Sequence, residues 1–286
     1  MAKRFFRAAA LLILLCLLVL SETAAESALP AGAKEGAVLP VIMYHQLSED
    51  YRSWNGYVLD PQKFRADLRN LAGLGYTPVS VKELTDYAGG GELPEKPVLL
   101  TFDDGDESFY TIVYPIIQEF DVPVLLSPVG EWVEQASEKD ADQNGYVTFG
   151  QVREMLESGL VEIGNHTYAL HNSRTRRGVE KRYGESSWEY REALVSDIVK
   201  AQRLWQVNLG LDPTAFTYPF GFYSGESEEV IRPLGFAVTL TCREKVNRIS
   251  GPESLYLLGR YNRPNGISSA DFLAEIDRLV KQTAGE

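Results

Sequence analysis

Two cysteines and three histidines are all that this chain of 286 residues carries of the side chains that exchange disulfides or bind soft metals. Cys16 sits in an N-terminal apolar run, which leaves Cys242 alone in the remainder. A cysteine-built zinc module and an internal disulfide framework are therefore excluded, and stability must come from an ordinary core. Basic residues are also in deficit: 28 Lys and Arg stand against 40 Asp and Glu, a formal charge of −12. That balance argues against nucleic acid or an anionic membrane as partner. No apolar run reaches the roughly 20 residues a spanning helix needs. No internal repeat or low-complexity tract is evident either.

What is present starts with a targeting pattern. Lys3, Arg4 and Arg7 precede an apolar run from Ala8 to Leu20, and Thr23-Ala24-Ala25 offers small residues for cleavage. Residues 1–25 thus read as a secretory signal, with an uncleaved N-terminal anchor as the alternative. Residues 26–37, rich in small side chains, read as a tether, and 38–286 as the folded domain. The expected location is secreted or extracytoplasmic, with membrane contact only through an uncleaved N-terminal segment. Without Lys3, Arg4, Arg7 and Glu22 the charge moves from −12 to −14. Such a surface would attract a cationic glycan, although a solvated acidic face is the commoner reading.

Apolar runs at 38–44, 97–102, 122–126, 160–164, 215–220 and 236–241 read as buried strands, with weaker signals at 77–81 and 255–258. Helical spacing joins Phe64, Leu68, Leu71 and Leu74, then Phe109, Ile112, Val113, Ile116, Ile117 and Phe120. It continues through Val152, Met155, Leu156 and Leu160, through Val195, Ile198 and Trp205, and ends with Phe272, Leu273, Ile276, Leu279 and Val280. Alternating strands and helices predict an α/β fold with a parallel sheet and right-handed crossovers. The stretches Trp132 to Tyr146 and Asn172 to Tyr190 are polar and long, and read as surface insertions near a site. Trp54, Trp132 and Trp188 lie in or beside such loops, where an aromatic face stacks on a sugar or simply packs the loop down.

The three histidines, His45, His166 and His171, each fall in a segment that suggests chemistry, beside the acidic strand end Thr101-Phe102-Asp103-Asp104-Gly105. A catalytic zinc site takes three protein ligands and keeps a fourth position open. Asp104, His166 and His171 are the candidates. Five residues apart on a helix, the two histidines would diverge by about 140° at about 3.6 residues per turn, so they flank a loop instead. Each feature alone has a plainer reading: an Asp-Asp-Gly turn with a helix cap, a packed strand histidine, an incidental histidine pair.

Taken in order, TFDDG at 101–105, HTYALH at 166–171 and FTYPFG at 216–221 resemble the NodB-homology polysaccharide deacetylases, carbohydrate esterase family 4. The likeness runs from about Val38 to the C-terminus. The extra residue between the histidines, and a histidine in the early strand segment Val41 to Gln46, resemble the branch that deacetylates poly-N-acetylglucosamine. The resemblance implies a distorted, incomplete (β/α) barrel and metal-dependent hydrolysis of the N-acetyl group of N-acetylglucosamine units in a polysaccharide. It implies one divalent cation on Asp104, His166 and His171: zinc first, with nickel, cobalt or iron fitting the same ligand types. Asp103 would be the general base, and the Phe220 N–H would steady the oxyanion. Two departures stand out. The family arginine that orients the base is replaced by Thr217, so either another cation substitutes, with Arg260 or Arg263 as candidates, or the base is tuned differently. No histidine follows His171, so His45 is the imidazole left to protonate the leaving amine. An O-acetyl polysaccharide esterase and a non-catalytic carbohydrate-binding barrel are the alternatives.

Overall fold

Residues 36–138 and 145–285 are described in the computed structural model. The expected signal or anchor at 1–25, and most of the tether, lie outside the described residues. The strands are β1 (Ala37–Leu39), β2 (Val41–Tyr44), β3 (Gln46–Leu47), β4 (Val58–Leu59), β5 (Thr77–Pro78), β6 (Pro97–Asp104), β7 (Val124–Pro128), β8 (Val161–Ile163), β9 (Ala215–Thr217), β10 (Val238–Leu240), β11 (Asn247–Ile249) and β12 (Tyr261–Asn262). Five of them form a parallel ladder in the order β12-β2-β6-β7-β8, with β5 added in parallel on β6. β6 is the centre. Its sequence PVLLTFDD is buried at seven of eight positions, the continuous apolar run of a strand covered on both faces.

Beyond β8 the ladder thins without stopping. Asn165 bridges Phe216 in parallel, β9 pairs with β10, and Leu240 bridges Leu258 just upstream of β12. The sheet therefore curls back on itself through single bridges, a distorted and incomplete (β/α) barrel. The expected strand at 255–258 is corrected by this part: Pro252–Leu255 is a turn of 3-10 helix, and Leu258 alone joins the ladder. Pro252 and Gly251 start that turn, and they outweigh the short apolar run that follows. One pair departs from the parallel rule, because β1 and β11 run antiparallel.

Helices cover the outside: α1 (Pro61–Gly73), α2 (Val81–Ala88), α3 (Tyr114–Phe120), α4 (Gly130–Glu138), α5 (Phe149–Glu157), α6 (Ser187–Leu209), α7 (Ser227–Ile231) and α8 (Ser269–Ala284). The starts of α2, α5 and α6 carry reciprocal capping boxes, Ser80 with Glu83, Thr148 with Gln151 and Ser186 with Glu189. α3 is preceded by a π turn, Phe109–Val113. Pro115 lacks the N–H that would close a regular turn there. Helices α4 and α6 correct the two expected loops, since Trp132 lies within α4 and Trp188 in the first turn of α6. Among the described residues no helix is long and apolar enough to cross a membrane.

Candidate metal and hydrolytic site

The C-terminal ends of the strands converge on one cavity of about 660 Å³. His45 follows β2, Asp103 and Asp104 close β6, His166 follows β8, Phe220 follows β9, and Cys242 follows β10. All of them line that cavity, and His171 joins them. This is the end of a parallel barrel at which loops, free of ladder constraints, can present side chains.

Neighbouring residues on a regular strand point to opposite faces, so Asp103 and Asp104 share a cavity only if the backbone turns between them. The sequence suggests Gly105 for that turn. The structure begins it one residue earlier: Asp104 has φ 73 and Gly105 φ 82. A Cβ at Gly105 would meet the Pro128 Cβ at 2.5 Å, so the position admits no side chain. Among the five non-glycine residues with positive φ in the described part of the chain, Asp104, Thr167 and Phe220 all belong to this region. Such conformations persist where the surroundings enforce them, commonly around functional groups.

Asp103 is buried and held by Arg260 through two parallel hydrogen bonds, from Nη1 at 2.7 Å and Nη2 at 2.8 Å. Arg260 is itself fully buried and donates from Nε to the Thr241 carbonyl at 2.9 Å. Burial pushes the Asp103 carboxyl up, but the charge and hydrogen bonds of Arg260 outweigh it and hold the group below its ordinary value. The choice between Arg260 and Arg263 is thereby resolved in geometry. Arg263 is occupied elsewhere, donating from Nε to Asp67 at 2.8 Å. Thr217 fills a different need: its buried hydroxyl pairs with that of Ser127 at 2.8 Å.

Asp104 Oδ1 faces the Nε2 atoms of His166 and His171 at 3.5 and 3.1 Å. One ligand atom from each of the three residues lies within 4.8 Å of the others. His166 Nδ1 lies 2.7 Å from the Thr217 carbonyl, which can only accept, so Nδ1 carries the proton and neutral Nε2 presents a lone pair. Asp104 Oδ1 is buried and takes no aligned hydrogen bond. In that tautomer the lone pairs of His166 Nε2 and Asp104 Oδ1 face one another, an arrangement that a divalent cation relieves. Burial raises the Asp104 carboxyl, yet the two imidazoles, when protonated, hold it well below its usual range through hydrogen bonds and charge.

The loop that spaces the histidines is fixed from outside. The Asp197 carboxylate accepts the N–H groups of Tyr168 at 2.7 Å and Ala169 at 2.9 Å, and Asn165 Oδ1 accepts that of Thr167 at 2.8 Å. The His171 ring rests between Phe220 at 4.2 Å and the edge of Trp132 at 4.9 Å. Also lining the cavity, the Tyr57 ring meets His45 at 4.9 Å. His45 Nδ1 is buried with no hydrogen-bond partner.

All six residues singled out from the sequence are thus brought together. Of the three tryptophans, Trp132 reaches the site through His171. Trp54 instead donates its indole N–H to Ser48, and Trp188 is exposed on α6. Sequence reasoning missed Tyr57, Asp106, Tyr146 and Cys242 as cavity residues. Asp106 carried a signal, lying two residues beyond Asp104, but helix-capping chemistry explained it equally well.

A fold of parallel strand ends surrounding paired carboxylates and histidines defines a hydrolase scaffold, and comparison supplies its family. The family model described as polysaccharide deacetylase matches residues 90–239, and the chain belongs to that family. It is 30% identical over 247 residues to the poly-beta-1,6-N-acetyl-D-glucosamine N-deacetylase of Escherichia coli K12, an alignment that covers 78% of this chain and 37% of the relative. The chain therefore spans little more than a third of that protein. Two solved structures are similar over nearly their whole length. The de-N-acetylase from Aggregatibacter actinomycetemcomitans has TM-score 0.71 and 26% identity, covering 82% of this chain and 99% of that one. IcaB from Ammonifex degensii has TM-score 0.69 and 27% identity, covering 86% and 98%.

Proposed function

We propose that this protein hydrolyses the acetamide of N-acetylglucosamine units in a polysaccharide, releasing acetate, with a divalent cation, zinc first, on Asp104, His166 and His171. The observation that carries the reading is the Arg260-held Asp103 beside that triad in one cavity. When bound, the cation would polarise the acetyl carbonyl and lower the pKa of water. Asp103 takes a proton from the attacking water as its oxygen bonds to the acyl carbon. The Phe220 N–H steadies the oxyanion, and His45 gives a proton to the nitrogen as the C–N bond breaks. Arg260 also removes one of the two motives for a non-catalytic barrel, since the base keeps a guanidinium partner. The basic and apolar segment at residues 3–20 supports an extracytoplasmic site of action.

Acetate release from N-acetylglucosamine oligomers tests the reading. Release is expected with added zinc, and its loss with a chelator. No release by zinc-loaded protein overturns the proposal. Calorimetric titration should find one zinc per chain, with binding lost in Asp104→Ala. Burial lowers the His166 pKa, but contact with Asp104, then Asp103, raises it overall. A proton and the cation compete for the same nitrogen, so zinc affinity is expected to fall with acidification, beginning above the ordinary imidazole value.

His45 makes the opposite expectation. Burial lowers its pKa, against the opposing pull of Asp103 and Asp104. Its acid form is therefore lost as pH rises through a value below that of ordinary imidazole. The expected kcat profile descends on that side, and His45→Gln removes the descent while lowering kcat on the order of 10²-fold. Full turnover by zinc-loaded His45→Gln would exclude the acid role.

A further inference from the structure

Three carboxylates line the cavity, and two of them have cationic or imidazole partners. Asp103 is held by Arg260, and Asp104 faces two imidazoles. Asp106 differs. Its hydrogen-bond partner is Ser108, and among the described residues no Lys or Arg forms an ion pair with it. Its backbone pairs with that of Tyr146 in an antiparallel bridge. Residues directly opposite in such a bridge project to the same face, and both of these line the cavity. The Tyr146 ring is in turn backed by Trp132 at 4.6 Å. A half-buried carboxylate without a cation, beside a supported aromatic ring, is the pairing that recognises an alkylammonium. The oxygens accept charge-assisted hydrogen bonds and the ring face attracts the charge.

The proposed reaction makes such groups. Each turnover converts a neutral acetamide into a basic amine that takes up a proton near neutral pH, so a partly processed polymer carries ammonium groups among its remaining acetamides. The cavity, at about 660 Å³, falls in the range filled by ligands larger than one sugar. We propose that Asp106 and Tyr146 form a subsite for the protonated amine of a sugar unit close to the one being deacetylated. The protein then prefers partly deacetylated chains to fully acetylated ones. This inference rests on the deacetylase reading above, and names a substrate class within it.

The test compares two N-acetylglucosamine pentamers, one fully acetylated and one with a single internal free amine, on zinc-loaded protein. Wild type is expected to show the higher kcat/KM on the amine-bearing pentamer. Asp106→Asn keeps an acceptor for the Ser108 N–H, so the turn persists, and should lower the ratio of the two kcat/KM values on the order of tenfold, the scale of one charge-assisted hydrogen bond. Asp106→Glu should restore part of it. Independently of turnover, the dissociation constant of glucosamine pentamer should weaken by a similar factor in Asp106→Asn, and the difference should shrink at high salt. An unchanged ratio, or equal pentamer binding by the two proteins, overturns the subsite. If wild type releases acetate from neither pentamer, the deacetylase reading fails, while pentamer binding still decides whether Asp106 holds an amine.

Discussion

Asp103→Asn is expected to lower acetate release on the order of 10³-fold, within the range that loss of a general base produces. The substitution keeps the shape of the side chain and one oxygen for Arg260, but removes the basicity that takes the proton from water. Three side chains that converge on the cation position are untouched, so zinc binding should persist. A second effect must be separated from the first. Asp103 and Arg260 are both buried, and neutralising one leaves the other charge uncompensated, a loss on the order of 3–5 kcal/mol. The experiment therefore pairs single-turnover rates with zinc content and a melting curve. Lost turnover in a folded, zinc-loaded variant supports the base role. Near-normal turnover in that state would assign the base elsewhere, and His45 would be the first residue to examine.

Much of this site was legible because it is written in short segments. Asp103 and Asp104 occupy the end of an eight-residue buried strand. His166 follows a strand at the same end of the barrel, and the spacing to His171 already demanded a loop. Helices α1 and α8 were legible from apolar spacing and bury the expected residues, Phe64, Leu68 and Leu71 in one and Phe272, Leu273 and Ile276 in the other. Helix α2 was missed: its eight residues bury only Val81 and Leu84, too few to establish a period. The loops at 132–146 and 172–190 were overextended because polar, charged sequence is also what an exposed helical face looks like. For the partner of Asp103 the sequence offered two arginines as candidates beside a differently tuned base, and went no further. Nothing local distinguishes Arg260 from Arg263; the difference lies in which carboxylate each meets across the barrel, Asp103 for one and Asp67 for the other. Pairings between residues more than 150 positions apart are set by the closed fold, so neither segment alone announces them.

Replacing Arg260 by Met should affect both stability and chemistry, and the two effects have opposite responses to acid. Arg260 holds the folded-state pKa of Asp103 below its ordinary value. In the wild type that depression stabilises the fold above the unfolded carboxylate pKa, and the contribution is lost as pH falls through the depressed value. Without the guanidinium, burial is the cause that remains dominant, and it pushes the carboxyl above its ordinary value. Met fills much of the volume but leaves a buried carboxylate unpaired, at about 3–5 kcal/mol near neutral pH. Protonation relieves that penalty. The stability gap between wild type and Arg260→Met should therefore narrow as pH is lowered below the raised pKa, although acid also weakens the wild-type pair. Activity should move the other way, because the base is now protonated over a wider range: the acid limb of the kcat/KM profile shifts to higher pH and the rate loss deepens with acidification. Chemical denaturation and rate measurements across the same pH series read both effects. Arg260→Lys should recover part of the charge but not the paired geometry, since one ammonium cannot make both parallel bonds. A pH-independent stability gap with an unmoved acid limb would show that Arg260 supports the barrel without tuning Asp103. A narrowing gap with a shifted limb would instead identify a guanidinium carried on the residue just before β12 as the group that keeps the carboxylate ionised beside the cation site.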